Sequence, residues 1–471
     1  MKYKNQLKKY ILSDYLTALL AWFLFYIFRR IEIDLIAIRD IQMFVPMYNA
    51  RLTMLVVPVF WLGVYWLSGY YNTSFLKSRL SELFTTFASV FFGTLVIFFA
   101  VLVDDPVSSY TFYYVSFLVL FSIHFVLTYF CRLVITTISA KLIHNRQKGF
   151  RTLILGVGDK AFKLSSELNQ MKQSLGYMIE GFVVAQKKEQ QKVASNDILG
   201  TILDINSLLK KYNVDVVIIA VDNISEDEIY QLMYDLCSKN VKIKIVPGLF
   251  EILTGSVKMK SIYAVPLIDL VEVRMSDFQK NVKRVIDVVT SLFVLLLLMP
   301  LFFFLAIKIK SDSEGSMIYK QERIGLHGVP FIIYKFRTMY QDSEREGIPK
   351  LSCENDERVT RFGKFMRKYR LDELPQFYNV LKGEMSLVGP RPERRYFIDQ
   401  IIQQAPYYQR LTNVRPGITS WGMVKFGYAN TVEKMIERSR FDISYMENMS
   451  LIIDIKILIY TIKTIFTGKG L

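Results

Sequence analysis

Residues 10–28, 52–71, 83–103 and 111–131 form four apolar stretches in the first third of the chain, and they limit its possible folds more tightly than any other feature. Each is long enough for a helix across ~30 Å of hydrocarbon, where backbone amides must be satisfied within the segment itself. Four membrane spans are expected. Arg29, Arg30, Glu32 and Asp34 follow the first stretch where small residues would mark a cleavage site, so that stretch is expected to be retained as an anchor. Lys2, Lys4, Lys8 and Lys9 precede the first span, Lys77 and Arg79 lie between the second and third, and Lys141, Arg146, Lys148 and Arg151 follow the fourth. The positive-inside rule places all three groups in the cytoplasm. The loop at Asp104, Asp105 and Pro106 lacks basic residues, as an external loop should, whereas Arg29, Arg30, Arg39 and Arg51 fall in a loop this topology puts outside.

From about residue 150 the period changes. Short β-branched runs at 152–157, 214–221 and 241–246 alternate with polar helical segments, the signature of an α/β unit. Its first strand leads into Gly156, Gly158 and Ala161, the G-x-G-x-x-A spacing of a dinucleotide turn, in which a helix amino terminus faces a pyrophosphate. The same spacing serves a turn that packs strand on helix. The acidic residue that would hold a ribose hydroxyl is missing, since the second strand runs on into Ala185, Gln186 and Lys187. Residues 285–309 are apolar enough for a fifth span, but Lys283 and Arg284 precede them, Lys308 and Lys310 close them, and Pro300 interrupts the middle. Inside-favouring charge at both ends and a broken hydrogen-bond ladder predict a re-entrant helix bent at Pro300.

The chain of 471 residues is 52% apolar, and 59 basic against 43 acidic side chains leave a formal charge of +16. Such charge suits anionic lipid or phosphate-bearing substrates. It forms no long basic block, so nucleic acid is not an expected partner. Cys131, Cys237 and Cys353 are dispersed, as are His124, His144 and His327; a bound metal would have to be a hard cation on carboxylates and phosphates.

The chemistry concentrates in the last 160 residues. In the run Arg367, Lys368, Tyr369, Arg370, Leu371, Asp372, Glu373, Leu374, Pro375, Gln376, a proline tolerated only in a helix's first turn sets Asp372 and Glu373 at a helix amino terminus. An ionised carboxylate among arginines is equipped to attack phosphorus while the cations offset repulsion between anions; an N-capping aspartate in a surface ion pair fits this run equally well. Residues 331–338 alternate as a strand that sends Lys335 and Arg337 to one face. Gly389-Pro390-Arg391-Pro392 and Arg415-Pro416-Gly417 each hold a guanidinium on a proline-stiffened loop. Together these predict a basic pocket.

In this order the motifs resemble those of the bacterial polyprenyl-phosphate hexose-1-phosphate transferases, the bacterial sugar transferases. The resemblance covers about residues 283–471: Lys283-Arg284 with Asp287, the strand 334–339, Leu371 to Leu374, residues 385–392 and 414–421, and Asn448, Ser450 and Asp454. The spans and the α/β unit are similar to those of large members that initiate exopolysaccharide, capsule or O-antigen units. The resemblance implies a membrane helical domain at 1–145, a Rossmann-like domain at 146–270, and an α-rich, membrane-associated catalytic domain at 280–471 with a re-entrant helix at 285–309. It implies a cytoplasm-facing enzyme of the bacterial inner membrane, a homodimer, that moves hexose-1-phosphate from a UDP-sugar to undecaprenyl phosphate and releases UMP. Asp372 would be the nucleophile, Glu373 the second carboxylate, Mg²⁺ would sit on the pair, and Arg367 would bind phosphate beside Lys335, Arg337, Arg391 and Arg415. Met299 stands where members often carry serine before the helix-breaking proline, and residues 422–427 depart from the commoner pattern after the tryptophan. The competing expectations are an NAD-dependent nucleotide-sugar enzyme built on Gly156 and Gly158, and a non-enzymatic assembly scaffold.

Overall fold

A computed structural model describes residues 2–32, 48–72, 79–102, 110–185, 190–222, 228, 232, 236, 241–247, 267–270, 275–341, 356–427 and 429–466. Arg39, Lys77, the loop at 104–106, Gln186, Lys187, Cys237 and Cys353 lie outside them. The chain packs as two compact units: residues 1–148 with 276–282, and residues 149–275 with 283–471.

The first unit is built on α1 (Lys2–Glu32), α2 (Tyr48–Leu67), α3 (Arg79–Ile97) and α4 (Thr111–His144). Segments Gln6–Glu32, Arg79–Val101 and Thr111–His144 are long and apolar enough to cross a membrane. The second expected span lies on α2, whose apolar part among the described residues, Arg51–Leu67, is shorter than the other three segments. It stops before Gly69, whose φ of +80° and approach to Asp277, 2.6 Å from where a Cβ would sit, form a tight turn. The core holds Tyr10, Phe25, Trp61, Tyr65 and Leu120. Within it the fully buried Arg132 donates to both Asp14 carboxylate oxygens at 2.8 Å and to Thr86 Oγ1 at 3.0 Å. The rings of Tyr65 and Tyr70 lie 4.0 and 3.6 Å from its guanidinium carbon. A charge in this setting persists only when paired and hydrogen-bonded.

The second unit opens with a sheet of β1 (Phe150–Leu155), β2 (Tyr177–Val184), β3 (Ile198–Thr201), β4 (Val216–Ile219), β5 (Lys242–Ile245) and β6 (Ile268–Asp269), ordered β3-β2-β1-β4-β5-β6. All neighbours pair parallel except β5 with β6. Helices α5 (Asp159–Gln170) and α6 (Ile205–Lys211) connect strands whose runs of Val, Ile and Leu are buried, as a sheet covered on both faces demands. Order reverses between β1 and β4, the crevice where such sheets ordinarily take ligands.

Next come α7 (Asp277–Leu297), which begins in the first unit and continues into the second, and α8 (Met299–Asp312). Their axes differ by 62° across the break, the geometry of a broken span or a re-entrant loop. Pro300 falls in the first turn of α8, where its missing N–H costs nothing. The bend therefore centres on Leu298, two residues before Pro300. An antiparallel hairpin follows, β7 (Ile318–Ile324) and β8 (Pro330–Phe336), then α9 (Arg361–Lys368), α10 (Gln376–Lys382) and β9 (Ser386–Val388). The chain continues through α11 (Arg395–Gln404), β10 (Gly417–Thr419), α12 (Trp421–Lys425), α13 (Val432–Glu447) and α14 (Leu451–Phe466). β10 pairs parallel with β9.

Candidate active site

Three chain segments meet at one pair of carboxylates. Helix α9 is started by Thr360, whose Oγ1 accepts from Gly363 N at 2.9 Å. Glycine is required at 363 because a Cβ there would lie 2.1 Å from Thr338 O. That close approach brings Arg367 Nε to Thr338 Oγ1 at 2.9 Å. After α9 the chain turns through Arg370, which holds left-handed φ 54° and ψ 26°, into a 3₁₀ turn at Leu371–Glu373 and then α10. Leu371 and Leu374 anchor the turn by packing with Leu305, Ile309, Phe336 and Met366. Asp372 and Glu373 thus precede the helix, each only 8% exposed.

Strand β8 supplies Lys335, whose Nζ donates to Glu373 Oε1 at 3.1 Å. The loop after β9 supplies Arg391. Gly389 sits against the Arg415 carbonyl, 2.3 Å from where a Cβ would be, and Gly417 N donates to Pro390 O, so the loop is locked to β10. Arg391 Nη1 lies 3.5 Å from Glu373 Oε1, and Arg370 Nη1 3.4 Å from Oε2. Glu373 therefore faces three cations.

The electrostatics separate the two carboxylates. Burial pushes Asp372 up to about 6, with the charge of Glu373 adding to the rise and Lys335, Arg367 and Arg370 opposing it. Burial also raises Glu373, but Lys335, Arg391 and Arg370 outweigh it and hold the group well below the usual carboxylate range. Burial lowers Lys335, partly offset by Glu373. One carboxylate is held as a charge and the other is raised above the usual range, a division of roles found where acid, base or nucleophile chemistry is done.

Behind Arg391 lies a support that the motif reading missed. Glu393 is 5% exposed and takes Arg438 Nη2 at 2.6 Å, Arg323 Nη1 at 3.1 Å and, more distantly, Arg391 Nε at 3.8 Å. Burial would raise Glu393, yet the three guanidinium groups keep it below its ordinary value. Asp442 accepts from Gly422 N at 2.8 Å, and burial pushes it up to about 6 against the pull of Arg438. The signal for Glu393 was its place beside Pro392; its partners, on β7 and α13, are distant in sequence.

Two expected phosphate-binding residues are elsewhere. Arg337 lies just past β8 and donates to Ser313 O at 2.6 Å and Glu314 O at 2.8 Å, just past the end of α8. Arg415 donates to Gly383 O at 3.0 Å while Arg284 takes Val380 O and Leu381 O, so two guanidinium groups cover the end of α10. Unpaired carbonyls at a helix carboxyl terminus attract cations, and alternation along a strand cannot reveal that competition.

The family model described as bacterial sugar transferase matches residues 278–468, and one described as CoA-binding domain matches residues 67–247. A UDP-glucose:undecaprenyl-phosphate glucose-1-phosphate transferase of Xanthomonas campestris pv. campestris is 31% identical over 337 residues, 69% of each chain. The chain belongs to the bacterial sugar transferase family. The chain is also 40% identical over 231 residues to a UDP-N-acetylgalactosamine-undecaprenyl-phosphate N-acetylgalactosaminephosphotransferase of Aeromonas hydrophila, covering 49% of the chain and 54% of that protein. With a UDP-glucose:undecaprenyl-phosphate glucose-1-phosphate transferase of Escherichia coli K12 it shares 33% identity over 278 residues, 59% of the chain and 60% of that protein. The chain spans 54 to 60% of the length of the first curated relatives it matches.

Coenzyme A, which the second model's description implies, carries a diphosphate that the glycine turn of the sheet does not fit. At the amino terminus of α5 the Asp222 carboxylate already accepts from Asp159 N at 2.6 Å and Lys160 N at 3.1 Å. Gly156, at φ +122°, is pressed against Ala220 O, 2.3 Å from where a Cβ would sit. Gly156 and Gly158 therefore close a packing turn whose anion seat the chain's own carboxylate fills, which corrects the dinucleotide expectation. For Mg²⁺, no group of three or more His, Cys, Asp or Glu occurs among the described residues. Asp372 and Glu373 fit such an ion as two hard-oxygen ligands, the rest coming from diphosphate and water.

Proposed function

We propose that the protein transfers a hexose-1-phosphate from a UDP-sugar to undecaprenyl phosphate, forming undecaprenyl-diphosphate-sugar and UMP. The observation that carries this reading is the buried pair itself: Asp372 beside Glu373, with Lys335, Arg391 and Arg370 gathered on Glu373. The relatives' names supply the substrate class.

In the first step the Asp372 carboxylate attacks the β-phosphorus of the donor. An aspartyl–phosphate bond forms, the bond to the α-phosphate oxygen breaks, and UMP leaves with that electron pair. In the second step a phosphate oxygen of the polyprenyl carrier attacks the same phosphorus and Asp372 departs as a carboxylate. Arg367, Arg391 and Lys335 lower the repulsion between anions at both steps. Mg²⁺, held by Asp372, Glu373 and the diphosphate, would supply further charge neutralisation. The α7–α8 pair serves as a re-entrant element that sets this site at headgroup level on the cytoplasmic face of the bacterial inner membrane, in a homodimer that starts a polysaccharide repeat unit.

The test uses purified full-length protein in detergent with undecaprenyl phosphate, Mg²⁺ and a panel of UDP-sugars. UMP release matched by lipid-linked sugar is expected, and Asp372→Asn should reduce it by at least about 10³-fold while remaining folded. A folded Asp372→Asn protein retaining about a tenth of the turnover removes Asp372 as the nucleophile.

A further inference from the structure

The cations near the dyad differ in what already occupies them. Lys335 points its ammonium at Glu373 Oε1, and Arg367 is bound to Thr338. Arg391 divides itself among Glu373, Glu393 and Met423 Sδ. Arg337 and Arg415 cover helix ends. Arg370 differs from the other cations at the dyad, and it shares a buried Nε with no hydrogen-bond partner only with Arg337 among these residues, which lies away from the dyad. A guanidinium carries five N–H donors, yet among the described residues the Arg370 side chain makes one long approach, Nη1 to Glu373 Oε2 at 3.4 Å, and its Nε is buried with no hydrogen-bond partner.

Its backbone is equally unusual. Arg370 holds φ 54° without being glycine, a conformation that L residues rarely adopt and that surrounding structure must impose. The left-handed residue turns the chain from α9 into the 3₁₀ turn, which brings the side chain onto the same carboxylate as Lys335 and Arg391, with 16% of its surface open. A buried, unfilled donor on a cation beside two carboxylates attracts an incoming anion that offers oxygens in a planar pair.

We infer that Arg370 is a substrate-contacting residue, whose guanidinium binds the diphosphate of the nucleotide donor and gives up its long contact with Glu373 when that anion arrives. Glu373 keeps Lys335 and Arg391 when Arg370 departs, so it remains an ionised, fixed group. The inference rests on the proposed phosphosugar transfer for the identity of the diphosphate, and it deepens that reading by adding a phosphate ligand that the motif reading did not assign.

Calorimetric titration of the full-length protein in detergent with inorganic diphosphate and with UDP tests it, with uridine as an uncharged control. Arg370→Asn, which tolerates the left-handed backbone, and Arg370→Gln should each weaken diphosphate and UDP about tenfold or more and leave uridine unchanged; Arg370→Lys should lie between. The KM for the UDP-sugar should rise in parallel. Diphosphate affinity within about twofold of wild type in either folded variant, or no diphosphate binding by the wild type, overturns the inference. A change in the pH profile alone, at unchanged diphosphate affinity, also overturns it, because Arg370 would then act only through Glu373. Arg370-dependent diphosphate binding by a protein that transfers no sugar phosphate from any donor keeps this site and sinks the proposed transfer.

Discussion

In the proposed transfer Asp372 must lose a proton before it attacks phosphorus, and its carboxyl is brought to about 6 chiefly by burial. The ionised form gains population as pH rises through that value, so kcat/KM should fall about tenfold per unit below pH 6 and level off above it. Glu373, held far below the usual range, adds no break there. Lys335 is the largest influence opposing the rise of Asp372, so Lys335→Met should move the acid limb to higher pH. A pH–rate profile measured on both proteins checks the pair; an acid limb unmoved in the variant would detach Lys335 from Asp372. The same shift bears on stability. A folded pKa raised above the unfolded value contributes stability below the unfolded pKa and loses it as pH rises through 6. Asp372 was legible in the sequence because its run is local, with proline, paired acids and arginine within ten residues. Arg370 stood in that run without a role, because a left-handed φ leaves no trace in residue type when the residue is not glycine. Arg337 and Arg415 bond to backbone carbonyls remote in sequence, a placement that local spacing could not show.

Among the elements, α7 carries the densest set of polar anchors. Lys283 Nζ donates to Val388 O at 2.9 Å and to Asp454 Oδ2 at 2.6 Å, while Tyr445 donates to the other oxygen of Asp454 at 2.6 Å. Asp287 accepts from Ser386 Oγ at 2.7 Å and Leu387 N at 3.1 Å. One helical turn of α7 therefore fixes β9, and β9 leads directly into the Arg391 loop. Lys283→Met should leave Asp454 buried without its cation and lower stability by about 3 kcal/mol, whereas adding Asp454→Asn should recover much of that loss. Thermal unfolding of Lys283→Met, Asp454→Asn and the double variant in detergent measures the coupling; purely additive losses would mean the pair is not coupled. Lys283, Asp287 and Asp454 were visible as motif residues, but their shared target was not, since 171 positions separate Lys283 from Asp454. Strands β1, β4 and β5 lie within two residues of their expected places because runs of β-branched residues are a strong local signal. The second apolar stretch was overextended because hydropathy counts Tyr70 and Tyr71, while Gly69 ends the helix.

At the scale of the whole molecule, the side of the membrane that each end of the α7–α8 pair occupies decides where the dyad works. A through-span and a re-entrant pair share the same apolar content, and the 62° bend is compatible with both. Charge favours the re-entrant form: Lys283 and Arg284 near the start and Lys308 and Lys310 near the end both prefer the cytoplasm, and a through-span would put one set outside. The exposed side chains Leu292, Phe293, Leu296, Leu297, Met299, Phe303 and Phe304 cluster around the bend, so the apex is its most lipid-compatible part while the charged ends flank it. Ser276 and Ser311 are exposed and bracket the pair. In a background with Cys131, Cys237 and Cys353 replaced by serine, Ser276→Cys and Ser311→Cys should both resist a membrane-impermeant thiol reagent on intact cells and both react once the membrane is opened. Reaction of one position alone on intact cells would establish a through-span. Reaction of Ser311→Cys alone would also put the dyad outside, where the UDP-sugar could no longer meet Asp372 from the cytoplasm.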